Sequence, residues 1–291
     1  MSLAAVLAFC LPLRAAQDVP SETTAQLPRI GADPAAHLME SGFRHLYELN
    51  FSEARVEFAS YQQLRPQDPL GKAAEAASYL YEQFNAKGVL TSTFFLDDSK
   101  LLVGVEGKPS ENRNTAFLEA NREARELAKK RLKLDPREAN SLLALTMTDG
   151  MESDYDALIE RKQIASLGPM RQAESEANTL LAIDPTAQDA YVALGAANYV
   201  IGCLPSYKRA FLWFGGIHGD RMRGMQQMQL TAEHGHYLKP FAKILLALAA
   251  EREHQLDLAH KMLAELTAEF PSNPLFAREL TLLEKRVAGK D

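Results

Sequence analysis

Histidines and carboxylates at short spacing are the residues of this chain whose types could do chemistry. His218-x-Asp220 and His234-x-His236, the latter preceded by Glu233, are ligand types for zinc and similar metals. Residues two apart do not share a helix face, so a metal site would need a turn at both places. The other reading makes these residues caps and a solvated turn at a helix exit. The sequence contains neither an HExxH motif nor G-x-S-x-G. Gly71-Lys72 lacks the upstream glycine and the following Ser/Thr of a phosphate-binding loop. The acidic run from Asp149 to Glu160 lacks the central glycine and ligand spacing of a calcium loop. We therefore expect no catalytic residue, no cofactor and no metal centre. Binding remains as the chemistry to look for.

Aromatic density marks the places where binding could occur. Residues 204–217, LPSYKRAFLWFGGI, carry the only tryptophan. One reading makes them a partner contact or a membrane-dipping loop, with Lys208 and Arg209 at phosphate head groups. The other makes them a plug buried in an apolar groove. Phe94, Phe95 and Leu96 form a second cluster, inside a glycine-punctuated stretch without helical period, 88–110, that reads as extended or hairpin-like. Phe94, Phe95, Tyr199, Lys208, Arg209, Trp213 and Phe214 are the candidate partner-binding residues.

These segments interrupt a repeating pattern, clearest at 173–198. Ala173, Ala177, Leu180 and Pro185 are followed by Tyr191, Leu194, Gly195 and Asn198. Small residues let helix backbones approach, the leucines fill the space beside them, and proline ends the helix. The same spacing recurs. Ala54, Phe58, Tyr61 and Pro66 close a first unit. Ala124, Ala128 and Pro136 close a second, and Ala259, Leu263, Leu266 and Pro271 close a fifth. The fourth exits through His234-Gly235-His236 without a proline. A last segment, 275–287, has the apolar-then-charged character of a capping helix. Successive exit prolines are separated by more than whole multiples of a period of about 34 residues. Each excess matches an interruption, at 88–110, 150–168 and 202–219: the second, third and fourth insertions, numbered by the repeat they interrupt. All three fall between the first and second helix of their pairs, so they should lie side by side on one edge.

This pattern resembles the tetratricopeptide repeat. The resemblance covers about 34–274 and implies an all-α, right-handed α-solenoid of about five helix pairs, with a C-terminal capping helix and insertions within repeats 2, 3 and 4. LGAANYVIGCLP, HGDRMRGMQQM, YLKPFAKILLALAAE and FPSNPLF resemble a group of bacterial exported repeat proteins. They are similar, more faintly, to eukaryotic repeat proteins of the Iml2 and TTC39 type. Neither resemblance brings a catalytic residue. In such arrays the first helices of each pair line the inner curve. Here Phe43, Leu46, Met147, Val192, Tyr199, Ile244 and Leu248 would make it apolar. An exposed concavity of that character invites a ligand or a cover. The aromatic insertions are the expected cover.

Composition narrows the class. The chain is 46% hydrophobic and 24% charged, with a formal net charge of -6. An acidic balance argues against non-specific nucleic-acid binding. Residues 1–17, apolar and then small, read as an export signal, and 18–33 as a flexible leader before one solenoid domain, 34–291. With Cys10 removed by cleavage, Cys203 would be left without a disulfide partner. The sequence thus predicts an exported, periplasmic or secreted, non-catalytic scaffold or adaptor of the cell envelope with a protein or peptide partner and no nucleic acid. Peripheral membrane contact is a further expectation. The alternative is a small-molecule or lipid-binding module using the apolar concave face.

Overall fold

Three helices begin on a side-chain cap followed by proline. Asp33 accepts from the Ala35 amide at 3.0 Å ahead of Pro34, and Asp68 from Leu70 at 3.0 Å ahead of Pro69. Asn273 accepts from Leu275 at 2.9 Å ahead of Pro274. The cap satisfies an orphan amide, and proline fills a first-turn position that needs no donor. The computed structural model describes residues 33–97, 100, 104–105, 110–214 and 216–289. Their helices are α1 (Pro34–Tyr47), α2 (Phe51–Leu64), α3 (Pro69–Ala86), α4 (Ser92–Phe95), α5 (Glu111–Leu132), α6 (Ala139–Asp154) and α7 (Gln163–Ile183). α8 (Tyr191–Cys203), α9 (Ser206–Phe214), α10 (Arg221–His234), α11 (Lys239–Arg252), α12 (Leu256–Glu269) and α13 (Pro274–Val287) follow. The signal-like segment 1–17 and the leader up to residue 32 lie outside the described residues.

The helices pack as successive pairs, α1 with α2, α3 with α5, α6 with α7, α8 with α10, and α11 with α12, each pair against the next and α13 against α12. This is a tetratricopeptide-like α-solenoid. The first and fifth pairs share one turn. Leu49 and His254 both take a left-handed conformation, with φ of 63° and 57°. The following amides reach back to equivalent carbonyls, Asn50 to His45 at 2.9 Å and Gln255 to Ala250 at 2.8 Å. Pairs two, three and four depart from it at this same point.

Small residues do what their spacing implies. Gly195 of α8 meets Gly224 and Met228 of α10 so closely that a Cβ there would stand 2.6 Å from Met228 Cγ and 2.8 Å from the Gly224 oxygen. The fourth exit turn, which lacks proline, is held by a buried carboxylate instead. Asp189 accepts from the amides of His236 at 2.7 Å, Tyr237 at 2.9 Å and Leu238 at 3.2 Å. Gly235 is required there because a Cβ would lie 2.6 Å from the Asp189 carboxylate.

One expectation about the interruptions needs correction. The described part of the second insertion, 88–110, is not extended or hairpin-like: it contains α4, and no strand occurs among the described residues. The third, 150–168, is taken up by the helices themselves. Gly150 lies inside α6 and Gly168 inside α7, joined through a π-helical turn at Tyr155–Ile159. The extra residues lengthen both helices, and the two glycines face open space.

Candidate functional site

The inner curve is occupied by the array itself. The first helices of the early pairs meet the last pair, so that Phe43 stacks on Tyr237 at 4.9 Å, Tyr47 tilts against Phe270 at 5.6 Å and Tyr81 against Phe241 at 5.7 Å. Polar bonds fasten the closure. The Tyr47 hydroxyl donates to the Tyr237 oxygen at 2.9 Å, and Asn273 Nδ2 donates to the Tyr47 oxygen at 2.7 Å. Phe43, Leu46, Met147, Val192 and Tyr199 are all buried, and Ile244 and Leu248 half-buried.

The second insertion takes part in this closure. Val89 and Phe94 are buried, and Phe94 meets Phe95 edge to face at 5.5 Å. The Ser92 amide and hydroxyl both donate to Glu279 of α13, at 3.1 and 2.5 Å. Arg252 donates to the Phe95 oxygen at 2.8 Å. The insertion also touches its neighbour, as its common edge requires: the Val105 amide donates to the Leu158 oxygen at 2.8 Å. Phe94 is therefore core, and Phe95 is half-buried against it. Tyr199 is core as well, with its one hydroxyl proton shared between the Ala249 oxygen at 3.3 Å and Glu253 at 3.2 Å.

The fourth insertion behaves oppositely. Tyr207 and Trp213 of α9 are 73% and 61% exposed, so neither of these two side chains fills the groove as a plug would. Val200 near the end of α8 and Met222 at the start of α10 are each 54% exposed. Those two helix ends meet where Arg221 donates to the Gly202 oxygen at 3.0 Å. Arg209 is exposed and reaches the same oxygen at 3.4 Å. The side chains of Lys208 and Phe214 lie outside the described ones. Of the candidate partner-binding residues, Arg209 and Trp213 present themselves to solvent together.

The histidines and carboxylates carry structural duties. Asp220 caps α10 by accepting from the Arg223 amide at 2.9 Å, His218 lies edge-on to Trp213 at 6.2 Å, and His236 sits 3.5 Å from Glu40. No group of three or more His, Cys, Asp or Glu residues placed to hold a metal occurs among the described residues. Burial raises Asp189, opposed by its three amide donors. Burial also raises Glu251, opposed by Arg286 at 2.5 Å. Asp154, at the end of α6, has burial as its only perturbation, which pushes its carboxyl up to about 7. No spacing in the sequence marks Asp154, which has no ion-pair partner among the described residues.

Clefts open on the surface of the described residues. One, of about 390 Å³, runs between α5 and α6 past Asn121, Arg125, Glu152 and Tyr155. In its wall Arg125 pairs with Asp149 at 2.8 Å and with Glu152, and Arg122 pairs with Glu126 at 2.8 Å. Another, of about 230 Å³, lies between α7, α8 and α10 and is closed at one end by residues 216–218. No helix of the described residues is long and apolar enough to cross a membrane.

No protein-family model matches the chain, and no curated protein matches it. Among solved structures it is similar to a thermophilic TPR protein of Thermus thermophilus. The two are 14% identical with a TM-score of 0.45, and the match covers 86% of this chain and 98% of that one. The helix pairing described above carries the fold on its own. The likeness to Iml2- and TTC39-type proteins stays one of residues alone.

Proposed function

We propose that the protein is a non-catalytic scaffold or adaptor of the cell envelope that holds a protein or peptide partner at its fourth insertion. The observation that carries this reading is the exposure of Tyr207 and Trp213 on α9, on an array whose inner aromatics are covered. Tyrosine, tryptophan and arginine are the residue types that dominate binding energy at interfaces. The perturbed carboxylates fit a scaffold, because Asp189 holds a turn and Glu251 an ion pair. The envelope location rests on the signal-like character of residues 1–17. A ligand in the concave face is the weaker alternative, because Phe43, Tyr47 and Tyr81 pack there against the last pair.

The test compares wild type with a Tyr207→Ser/Trp213→Ser variant as baits for the native exported fraction. The proposal expects a protein captured by wild type to be lost from the variant at unchanged melting temperature. Equal capture by both contradicts it.

A further inference from the structure

The smaller cleft has a composition that the scaffold reading does not use. Three helices each present one face to it. α7 gives Arg171, Glu174 and Asn178 at i, i+3 and i+7. α8 gives Leu194 and Asn198, and α10 gives Arg223 and Gln227, each pair at i, i+4. His218 comes from the end of the fourth insertion. The wall is thus built from rigid elements on the side of α8 that faces α7 and α10, separate from the covered inner curve.

Its hydrogen-bonding capacity is only partly spent. Asn198 Nδ2 donates to the Leu194 oxygen at 3.0 Å and to Gln227 Oε1 at 2.9 Å, and Asn178 Nδ2 to the Glu174 oxygen at 2.8 Å. The Gln227 amide nitrogen and the side-chain oxygens of Asn178 and Asn198 are left for a ligand. Arg171 and Arg223 have no ion-pair partner among the described residues. Burial raises the Glu174 carboxyl, and these two guanidiniums act against the rise. Two guanidiniums facing one carboxylate leave a single positive charge. That suits a monoanion and disfavours a phosphate dianion beside Glu174. Size narrows the ligand further. A cavity of about 150 Å³ holds a benzene ring, and sites for drug-sized ligands begin at about 300 Å³. At about 230 Å³, this cleft accommodates a molecule between the two.

We propose that the cleft between α7, α8 and α10 binds a small monocarboxylic acid that carries further hydrogen-bonding groups, its carboxylate held by Arg171 and Arg223 and its polar body by Asn178, Asn198 and Gln227. Guanidinium groups suit planar, bidentate capture of a carboxylate.

The single tryptophan reports on this site, because its ring lies 6.2 Å from that of His218. Whole protein is titrated with N-acetylglycine, with its neutral methylamide and with inorganic phosphate, by tryptophan fluorescence and by calorimetry. N-acetylglycine should bind saturably, and the neutral amide and phosphate should not. Arg171→Gln and Arg223→Gln should each weaken binding about tenfold, the effect of losing one charged hydrogen bond. Glu174→Gln should tighten it, with all variants melting as wild type does. The proposal is overturned by absence of N-acetylglycine binding in both assays, by equal binding of the amide, or by preference for phosphate. It is equally overturned by arginine variants that bind as wild type, or by a Glu174→Gln variant that binds no tighter.

Discussion

Replacing Gly195 tests the register of the whole array through one contact. A side chain there would start 2.6 Å from Met228 Cγ and 2.8 Å from both the Gly224 oxygen and the Met228 nitrogen. Met228 is 1% exposed and has nowhere to turn, and the backbone of α10 yields only if the helix pair opens. For Gly195→Ala, better helix propensity contributes about 1 kcal/mol. Overpacking costs about 1–3 kcal/mol, which leaves a loss of up to about 2 kcal/mol. Leucine drives three more heavy atoms into the same space and should cost at least about 3 kcal/mol. In a domain of this size 1 kcal/mol moves the melting temperature by about 2–4 °C, so Gly195→Leu should lower it by about 6–12 °C. Gly150→Ala is the control. That glycine also lies within a helix, but its Cβ would meet nothing within 4 Å. Relief from glycine should stabilise this variant by about 0.5–1 kcal/mol. Far-UV circular dichroism melts of the three variants decide the matter. A Gly195→Leu protein that melts with wild type, or a Gly150→Ala protein that loses as much stability, refutes the packing argument.

The two aromatic insertions should separate cleanly. Phe94→Ala should cost about 3 kcal/mol as a buried aromatic truncation, and Trp213→Ala less than about 0.5 kcal/mol as a surface change; urea midpoints with equal losses would show that both are packed. Glu251, buried on α11, depends on Arg286 of α13. Arg286→Met should cost about 2–3 kcal/mol by leaving that charge unpaired, with most of the loss recovered in a Glu251→Leu/Arg286→Met protein. An additive double variant in denaturant unfolding argues against the pair. Asp154 has a folded pKa raised from 3.8 to about 7. Its protonated form is the one the fold favours, so its ionisation costs stability as pH rises from about 4 to 7 and the whole cost stands above that window. Asp154→Asn should therefore be the more stable protein at pH 8 and gain nothing below pH 4, by urea unfolding at the two pH values. Equal midpoints at pH 8 would mean that the carboxylate is well solvated.

The helix pairs were legible because close packing leaves a local record. Ala177 with Leu180, and Leu194 with Gly195, place a small residue and its space-filler at fixed spacing. Pro185 then ends the helix, and such marks are read without knowing what lies across the gap. Closure left no such record. The stacking of Phe43 on Tyr237 and the bonds from Ser92 to Glu279 join residues about two thirds of the chain apart. Each of those residues is unremarkable among its sequence neighbours. Gly150 and Gly168 left the form of their insertion open, because glycine marks both turns and the few helix positions where it is merely tolerated. The opposite fates of Phe94 and Trp213 had the same origin. Both sit in aromatic clusters, and only the distant α11 and α13 decide which cluster is covered. Asp189 shows a substitution of chemistry: a buried carboxylate does at the fourth exit what proline does at the others.

Position-specific photo-cross-linking tests the central claim most directly. A photoreactive residue is placed in turn at Tyr207, at Trp213, and at Leu134 and Ile164, which are 83% and 88% exposed elsewhere on the molecule. Irradiation in the native exported fraction should give one discrete protein adduct from positions 207 and 213 and none from 134 and 164. Adducts from Leu134 or Ile164 alone, or an even smear from all four positions, would contradict an interaction surface at the fourth insertion.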